Sequence, residues 1–226
     1  KRGVLKFGTS TLSNIFLNGG PTSTVPAITE FGFGNNIAIG NEAFSYVSSA
    51  PFVVSDNIAL GYQALYGSSS VLMTASNNFA AGYQALKNTT SGGGNNAVGS
   101  EALYTNTTGS QNNAIGTEAL YSNITGQENN ALGYQALRAN RSGSNNNSLG
   151  SYSLNANTTG QSNNAIGSYT MYLNQTGSEN NALGQYTLYN NTVGSFNNIV
   201  GVGAGYNNIN GSYNNALGYH ALRSNT

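Results

Sequence analysis

Apolar and polar positions recur along this chain in short phrases that return at a fixed interval. Over residues 94–218 the first phrase is two asparagines, two mostly apolar residues and a glycine. Examples are Asn95-Asn96-Ala97-Val98-Gly99, Asn112-Asn113-Ala114-Ile115-Gly116 and Asn129-Asn130-Ala131-Leu132-Gly133. The closing glycines, Gly99, Gly116, Gly133, Gly150, Gly167, Gly184, Gly201 and Gly218, are 17 residues apart throughout. A second phrase follows, as in Glu101-Ala102-Leu103-Tyr104, and a third closes the unit, as in Asn106-Thr107-Thr108-Gly109. A fixed short period is the mark of a solenoid, in which each unit stacks on the last. Apolar runs this short leave no room for helical periodicity, and Asn and Gly disfavour helix. The pattern predicts an all-β fold: a parallel β-solenoid of two-strand β-roll coils with a 17-residue repeat. Each coil would run strand, glycine turn, strand, Asn-Thr-Thr-Gly turn. A three-sided β-helix, which usually needs a longer coil, is the alternative.

Stacking turns each position into a column. The asparagine four places before each glycine recurs at Asn36, Asn57, Asn78, Asn95, Asn112, Asn129, Asn146, Asn163, Asn180, Asn197 and Asn214. Identical amides one coil apart can hydrogen-bond into a ladder. The residue before the glycine (Leu132, Ile166, Leu183, Val200) and the fourth after it (Leu120, Leu137, Leu154, Met171) are expected to form the core. Ala102, Ala119 and Ala136 are small enough to let two backbones approach. So thin a core looks under-buried in a single chain, and association would cure that.

Residues 1–34 do not repeat and suggest a cap or connector, with short strands at 3–7, 12–17 and 27–31 and the charges of Lys1, Arg2 and Lys6 clustered there. Residues 35–93 carry the first phrase at 21-residue spacing, the extra residues falling around 48–51 and 68–71 and bulging from one edge. Residues 94–226 are the regular repeats. Eleven first-phrase strands at about 4.8 Å each make a rod of roughly 50 Å. The chain begins without Met and stops inside a third phrase, as expected of a piece of something longer.

Only 6% of residues are charged and the formal net charge is zero. That argues against a nucleic-acid partner, which needs a basic face, and against a polybasic membrane contact. No apolar run approaches the roughly 18 residues of a membrane helix. The absence of cysteine removes disulfides and thiolate chemistry and fits an extracellular protein.

The phrases Asn-Asn-Ala-Leu-Gly-Tyr-Gln-Ala-Leu and Asn-Thr-Thr-Gly resemble repeats of bacteriophage and giant-virus tail-fibre proteins. Asn57-Ile58-Ala59-Leu60-Gly61 is also similar, more distantly, to the head repeats of trimeric autotransporter adhesins. The likeness covers about residues 35–226. It implies a non-enzymatic extracellular fibre segment, on a virion or cell surface, that presents a surface-binding end. It also implies a homo-oligomer, with a trimer favoured. The alternatives are a polysaccharide-cleaving tail spike and a self-assembling extracellular filament subunit.

Candidate chemistry is sparse. Glu101 and Glu118 share a column in adjacent coils, about 5 Å apart as in a retaining glycosidase pair, but that column reads as a solvated polar ladder. His220 is the single histidine and Asp56 the single aspartate, so neither a zinc nor a calcium site is expected, and no cofactor. Asn88, Asn106, Asn123, Asn140, Asn157 and Asn174 each begin an Asn-x-Ser/Thr triplet, a glycosylation acceptor in a eukaryotic secretory setting, though turn chemistry explains them as well. The Thr108 and Thr125 column is too irregular beside its neighbour for an ice-binding face. Tyr104, Tyr121, Tyr172, Tyr189 and Tyr206 form one aromatic column and Tyr152, Tyr169 and Tyr186 another. Such ladders stabilise stacked strands by contact. Exposed, they would offer platforms to the sugar rings of a cell-surface polysaccharide.

Overall fold

A computed structural model describes residues 14–17, 36–44, 54–67 and 73–225. The strands expected at 3–7 and 27–31, the charges at Lys1, Arg2 and Lys6, and the insertions at 48–51 and 68–71 lie outside the described residues. Among the described residues there is no helix, and one parallel sheet runs in chain order. Its strands are β1 (Asn14–Leu17), β2 (Asn36–Ile39), β3 (Ile58–Leu60), β4 (Phe79–Ala81), β5 (Asn96–Val98), β6 (Asn113–Ile115), β7 (Asn130–Leu132), β8 (Asn147–Leu149), β9 (Asn164–Ile166), β10 (Asn181–Leu183), β11 (Asn198–Val200) and β12 (Asn215–Leu217). The chain is a parallel β-solenoid in which like residues face like: Asn113 opposes Asn130, Ala114 opposes Ala131 and Ile115 opposes Leu132. The sheet also reaches into the segment expected to be non-repetitive, since Asn14-Ile15-Phe16-Leu17 pairs with Asn36-Ile37-Ala38-Ile39. The strand expected at 12–17 is thus present over Asn14–Leu17, and its place in the repeat was hidden because position 18 is Asn where other units carry glycine.

Each coil contributes one strand, not two. The second phrase forms turns, with positive φ at Glu101 (56°) and Leu103 (54°), at Glu118 (55°) and Leu120 (53°), and so on up the rod. Glu, Gln and Ala are poor strand formers, and the apolar residues of this phrase include few β-branched ones to favour a pleated surface. Left-handed backbone at a leucine is unfavourable. It persists because inter-coil bonds fix it: Leu103 N–H donates to Ala119 O (3.0 Å), whereas Glu118 N–H points the other way, to Ser100 O (2.9 Å). One coil meets the demand by composition, with Gly203 (64°) and Gly205 (60°) at the same two positions.

The core corrects the expectation for one aliphatic column. In each three-residue strand the middle side chain points inward, so Ala97, Ala114, Ala131 and Ala165 are fully buried. The flanking residues point out, and Ile115, Leu132, Ile166 and Leu183 are 40–47% exposed. The period of two along a strand forces this, since Ala and Leu are neighbours and cannot share a face. Leu120, Leu137, Leu154 and Met171 are fully buried as expected, as are Ala102, Ala119 and Ala136. The interior is therefore a column of leucine flanked by two columns of alanine. Where one alanine becomes Ser148, the facing alanine becomes Ser153, and the two hydroxyls bond each other.

Truncating Leu120 to Ala should cost about 2–5 kcal/mol, whereas Leu132→Ala should stay within about 0.5 kcal/mol in the unassociated chain. Urea unfolding of both variants checks this, and equal losses would contradict the assigned faces.

Candidate functional site

The most elaborate chemistry in the molecule lies inside the coils. Asn95 and Asn106 come from opposite ends of one coil, and both donate to the carbonyl of its turn glycine, Gly109, at 3.0 and 2.9 Å. Asn112 and Asn123 hold Gly126 in the same way (2.9 and 3.0 Å), and Asn129 and Asn140 hold Gly143 (2.9 Å each). The second hydrogen of each amide reaches the coil before: Asn112 Nδ2 to Asn95 Oδ1 at 3.1 Å and Asn123 Nδ2 to Asn106 Oδ1 at 2.8 Å. The Asn95 oxygen also accepts the backbone N–H of Asn112 (3.0 Å). The predicted ladder thus runs from Asn36 to Asn214 through Asn57, Asn78, Asn95, Asn112, Asn129, Asn146, Asn163, Asn180 and Asn197, each amide donating to the one before.

A second buried ladder went unrecognised in the sequence. It consists of Asn106, Asn123, Asn140, Asn157 and Asn174, continued by Asn191 and Asn208. The first five are the asparagines of the glycosylation triplets, and all are fully buried. A glycan on Nδ2 would displace the hydrogens that close the coil, so the folded solenoid has no room for one at these five positions, and turn chemistry is their role. Asn88 stands one place out of this register and donates to Tyr104 O (3.0 Å). The register position belongs to Thr89, whose Oγ1 is the one buried side-chain polar atom without a partner among the described residues. Asn191 gave the signal that was available: its phrase, Asn191-Thr192-Val193-Gly194, keeps the asparagine while losing the triplet.

The repeat glycines are needed for close approach as well as backbone shape. At Gly99, with φ 137°, a Cβ would lie 2.6 Å from the carbonyl carbon of Gly116.

A third ladder decorates the outer face of the sheet. Asn96, Asn113, Asn130, Asn147, Asn164 and Asn181 are linked by Nδ2–Oδ1 bonds of 2.7–2.8 Å, each donating to the coil after. Beside it runs the exposed aliphatic column of Ile115, Leu132, Leu149, Ile166 and Leu183.

The tyrosines line the edge formed by the second phrase. Tyr152, Tyr169 and Tyr186 stack at centroid separations of 4.9 and 5.4 Å, and Tyr172, Tyr189 and Tyr206 at 5.3 and 5.1 Å. Tyr169 tilts against Tyr172 and Tyr186 against Tyr189, which merges the two columns. Tyr104 and Tyr121 stack at 5.1 Å, with Lys87 over the first ring and Arg138 over the second, while Arg223 covers Tyr206. Ring faces inside a column are thus occupied by neighbouring rings. At Tyr104, Tyr121, Tyr172, Tyr189 and Tyr206 it is mainly ring edges and hydroxyls that the columns present. Partial burial raises the pKa of Tyr121, Tyr152 and Tyr189, and neighbouring charge adds to it: mainly Glu101 at Tyr121, Tyr134 at Tyr152 and Tyr206 at Tyr189.

Glu118, half of the conceivable catalytic pair, is engaged by Arg138 and by Gln135 Nε2 (3.2 Å). His220 packs against Tyr219 with ring centroids 3.8 Å apart. Among the described residues no three His, Cys, Asp or Glu side chains gather where a metal could be held. No protein-family model, curated protein or solved structure matches this chain.

Replacing Asn140 by Ala should cost about 2–5 kcal/mol, since it strands buried partners worth roughly 1–3 kcal/mol each. Thr89→Asn should instead gain about 1 kcal/mol by extending the ladder to an orphaned position; chemical denaturation of both separates ladder pairing from mere burial. A pH series tests the tyrosines. Folded pKa values above the ordinary phenol value of about 10 mean that the unfolded chain ionises first. Stability should hold below that pH and fall as pH rises from it towards the raised values, with the melting temperature dropping in step with phenolate absorbance.

Proposed function

We propose that this chain is a structural, non-enzymatic segment of an extracellular fibre, on a virion or cell surface, that sets length and stiffness and presents a surface-binding end. The observation that carries the reading is the unbroken ladder. From Asn36 to Asn214 each asparagine of the first ladder donates to its counterpart in the coil before, and a catalytic pocket would need a break in that repeat. Identical coils add length in fixed steps, and a rod closed by internal amide pairs resists bending without disulfides. The phrase likeness to tail-fibre and adhesin repeats is the reason for placing it outside a cell.

Such a rod would associate with copies of itself through the outer sheet face. Ile39, Ile115, Leu132, Leu149, Ile166 and Leu183 are 39–47% exposed in a single line. A stripe of this kind is comparable with the largest apolar patches monomers leave open, roughly 300–600 Å². Its axial repeat is that of the solenoid, so the partner that matches it position by position is another copy of the chain. Two or three copies can cover the stripe, and the adhesin likeness favours three.

Light scattering on the purified chain should give a trimer, and Leu132→Asp with Leu149→Asp should give a folded monomer of nearly unchanged melting temperature once dissociated. A wild-type chain that is a stable monomer would overturn the assembly. Incubation with host-surface polysaccharide addresses function: retention without shortening supports a fibre with surface contacts, and new reducing ends would refute the non-enzymatic reading.

A further inference from the structure

The chain has 15 tyrosines, no cysteine and no tryptophan. Its two methionines, Met73 and Met171, are fully buried. Among side chains that give up an electron readily, tyrosine therefore stands alone at the surface. These phenols are arranged in rails. Within Tyr152–Tyr169–Tyr186 and Tyr172–Tyr189–Tyr206 the rings lie within 16° of parallel, and tilted contacts of 5.7 and 5.8 Å join one rail to the other.

Register gives the rails a chemical consequence. Each ring leaves the same position of its coil, so the carbon ortho to one hydroxyl sits level with its equivalent one coil away. The last torsion of a tyrosine side chain is soft and broad. Turning two neighbours from face-to-face to edge-to-edge brings these ortho carbons closer together than the ring centroids. We propose that the tyrosine rails are sites of oxidative coupling, at which hydrogen peroxide, acting through a one-electron peroxidase-type oxidant, joins tyrosines of adjacent coils as 3,3′-dityrosine.

The step balances as follows. Each of two phenols loses one electron and its hydroxyl proton, giving two phenoxyl radicals. The radicals form a carbon–carbon bond through their ortho carbons. Each ring then loses its ortho proton while its oxygen regains one, restoring two phenols. Two hydrogens leave in total, and one hydrogen peroxide is reduced to two waters.

Geometry directs the coupling inward. A ring about 5 Å away on the same scaffold is present at an effective concentration far above that of any second molecule. An oxidising equivalent entering at Tyr186, which is 37% exposed, meets a stacked neighbour in Tyr169 and a tilted one in Tyr189. The Tyr104–Tyr121 pair lies between the Lys87 and Arg138 charges, which oppose removal of an electron, so it couples more slowly. Tyr213 and Tyr219 act as internal controls. They are the most exposed of the described tyrosines, at 73% and 75%, yet they stack on Phe196 and His220.

The test treats the purified chain, at low concentration, with hydrogen peroxide and a peroxidase. Dityrosine fluorescence should appear, the intact mass should fall by two hydrogens per link, and denaturing gels should keep the single-chain mass. Peptide mapping should place the links at 152–169, 169–186, 172–189 and 189–206. The double variant Tyr169→Phe, Tyr189→Phe keeps the aromatic stacks but removes the middle phenol of each rail. Its dityrosine yield should fall several-fold at unchanged melting temperature, while Tyr213→Phe, Tyr219→Phe should leave the yield as it was. Absence of dityrosine, covalent oligomers linked through Tyr213 or Tyr219, or full yield from the first double variant would each overturn the proposal.

Discussion

The regular coils, from Asn95 onward, hang on one carbonyl each. The turn glycine's oxygen accepts from two asparagines, one that opens the coil and one that closes it, as Gly126 does from Asn112 and Asn123. That convergence fixes the length of the loop without a large hydrocarbon interior. It also uses the amides economically, because each has a second hydrogen for the coil below and an oxygen for the coil above. A buried amide is costly only when unpaired. Here pairing along the rod is what stacking provides, so every added coil satisfies the one before it.

The glycines follow from the same constraint. Gly109 sits where a Cβ would enter the space of Asn106 and Asn123, so the position is small because the amides converge there. Gly99 answers a different need, a backbone conformation and an approach to Gly116 that no side chain allows. Between them the second phrase holds leucine at positive φ, a local cost that full burial and inter-coil bonding offset. Local preference yields to tertiary packing there, coil after coil.

With asparagine, alanine and the second-phrase leucines filling the interior, the aliphatic residues that end the strands lie outside. The outer face of the sheet becomes an amide ladder beside an apolar stripe, and the turn edge becomes a surface of stacked phenols with cations over several rings. Both surfaces share the axial repeat of the rod. Any contact made by either would therefore repeat at the same interval.

How much of this was legible in the sequence depended on whether a property belonged to a column or to a direction. The all-β parallel solenoid, the Asn36 to Asn214 ladder, the buried Leu120 and Leu137 column and the stacked tyrosines followed from spacing alone. In a stacked repeat, equal positions must become neighbours. Which way a column points does not follow from spacing. Leu132 and Ala131 are adjacent and cannot share a face, and the larger hydrophobe looked like core, but the middle position of the strand is the one that faces in, so Ala131 is buried and Leu132 is not. The same limit hid the role of Asn123 and Asn140, whose triplets resemble surface acceptors until the turn folds them against a glycine carbonyl. A second strand was expected from an apolar phrase whose backbone instead alternates its hydrogen bonds up and down the rod. Periodicity decided who meets whom; the three-dimensional closure of the coil decided which side faces in.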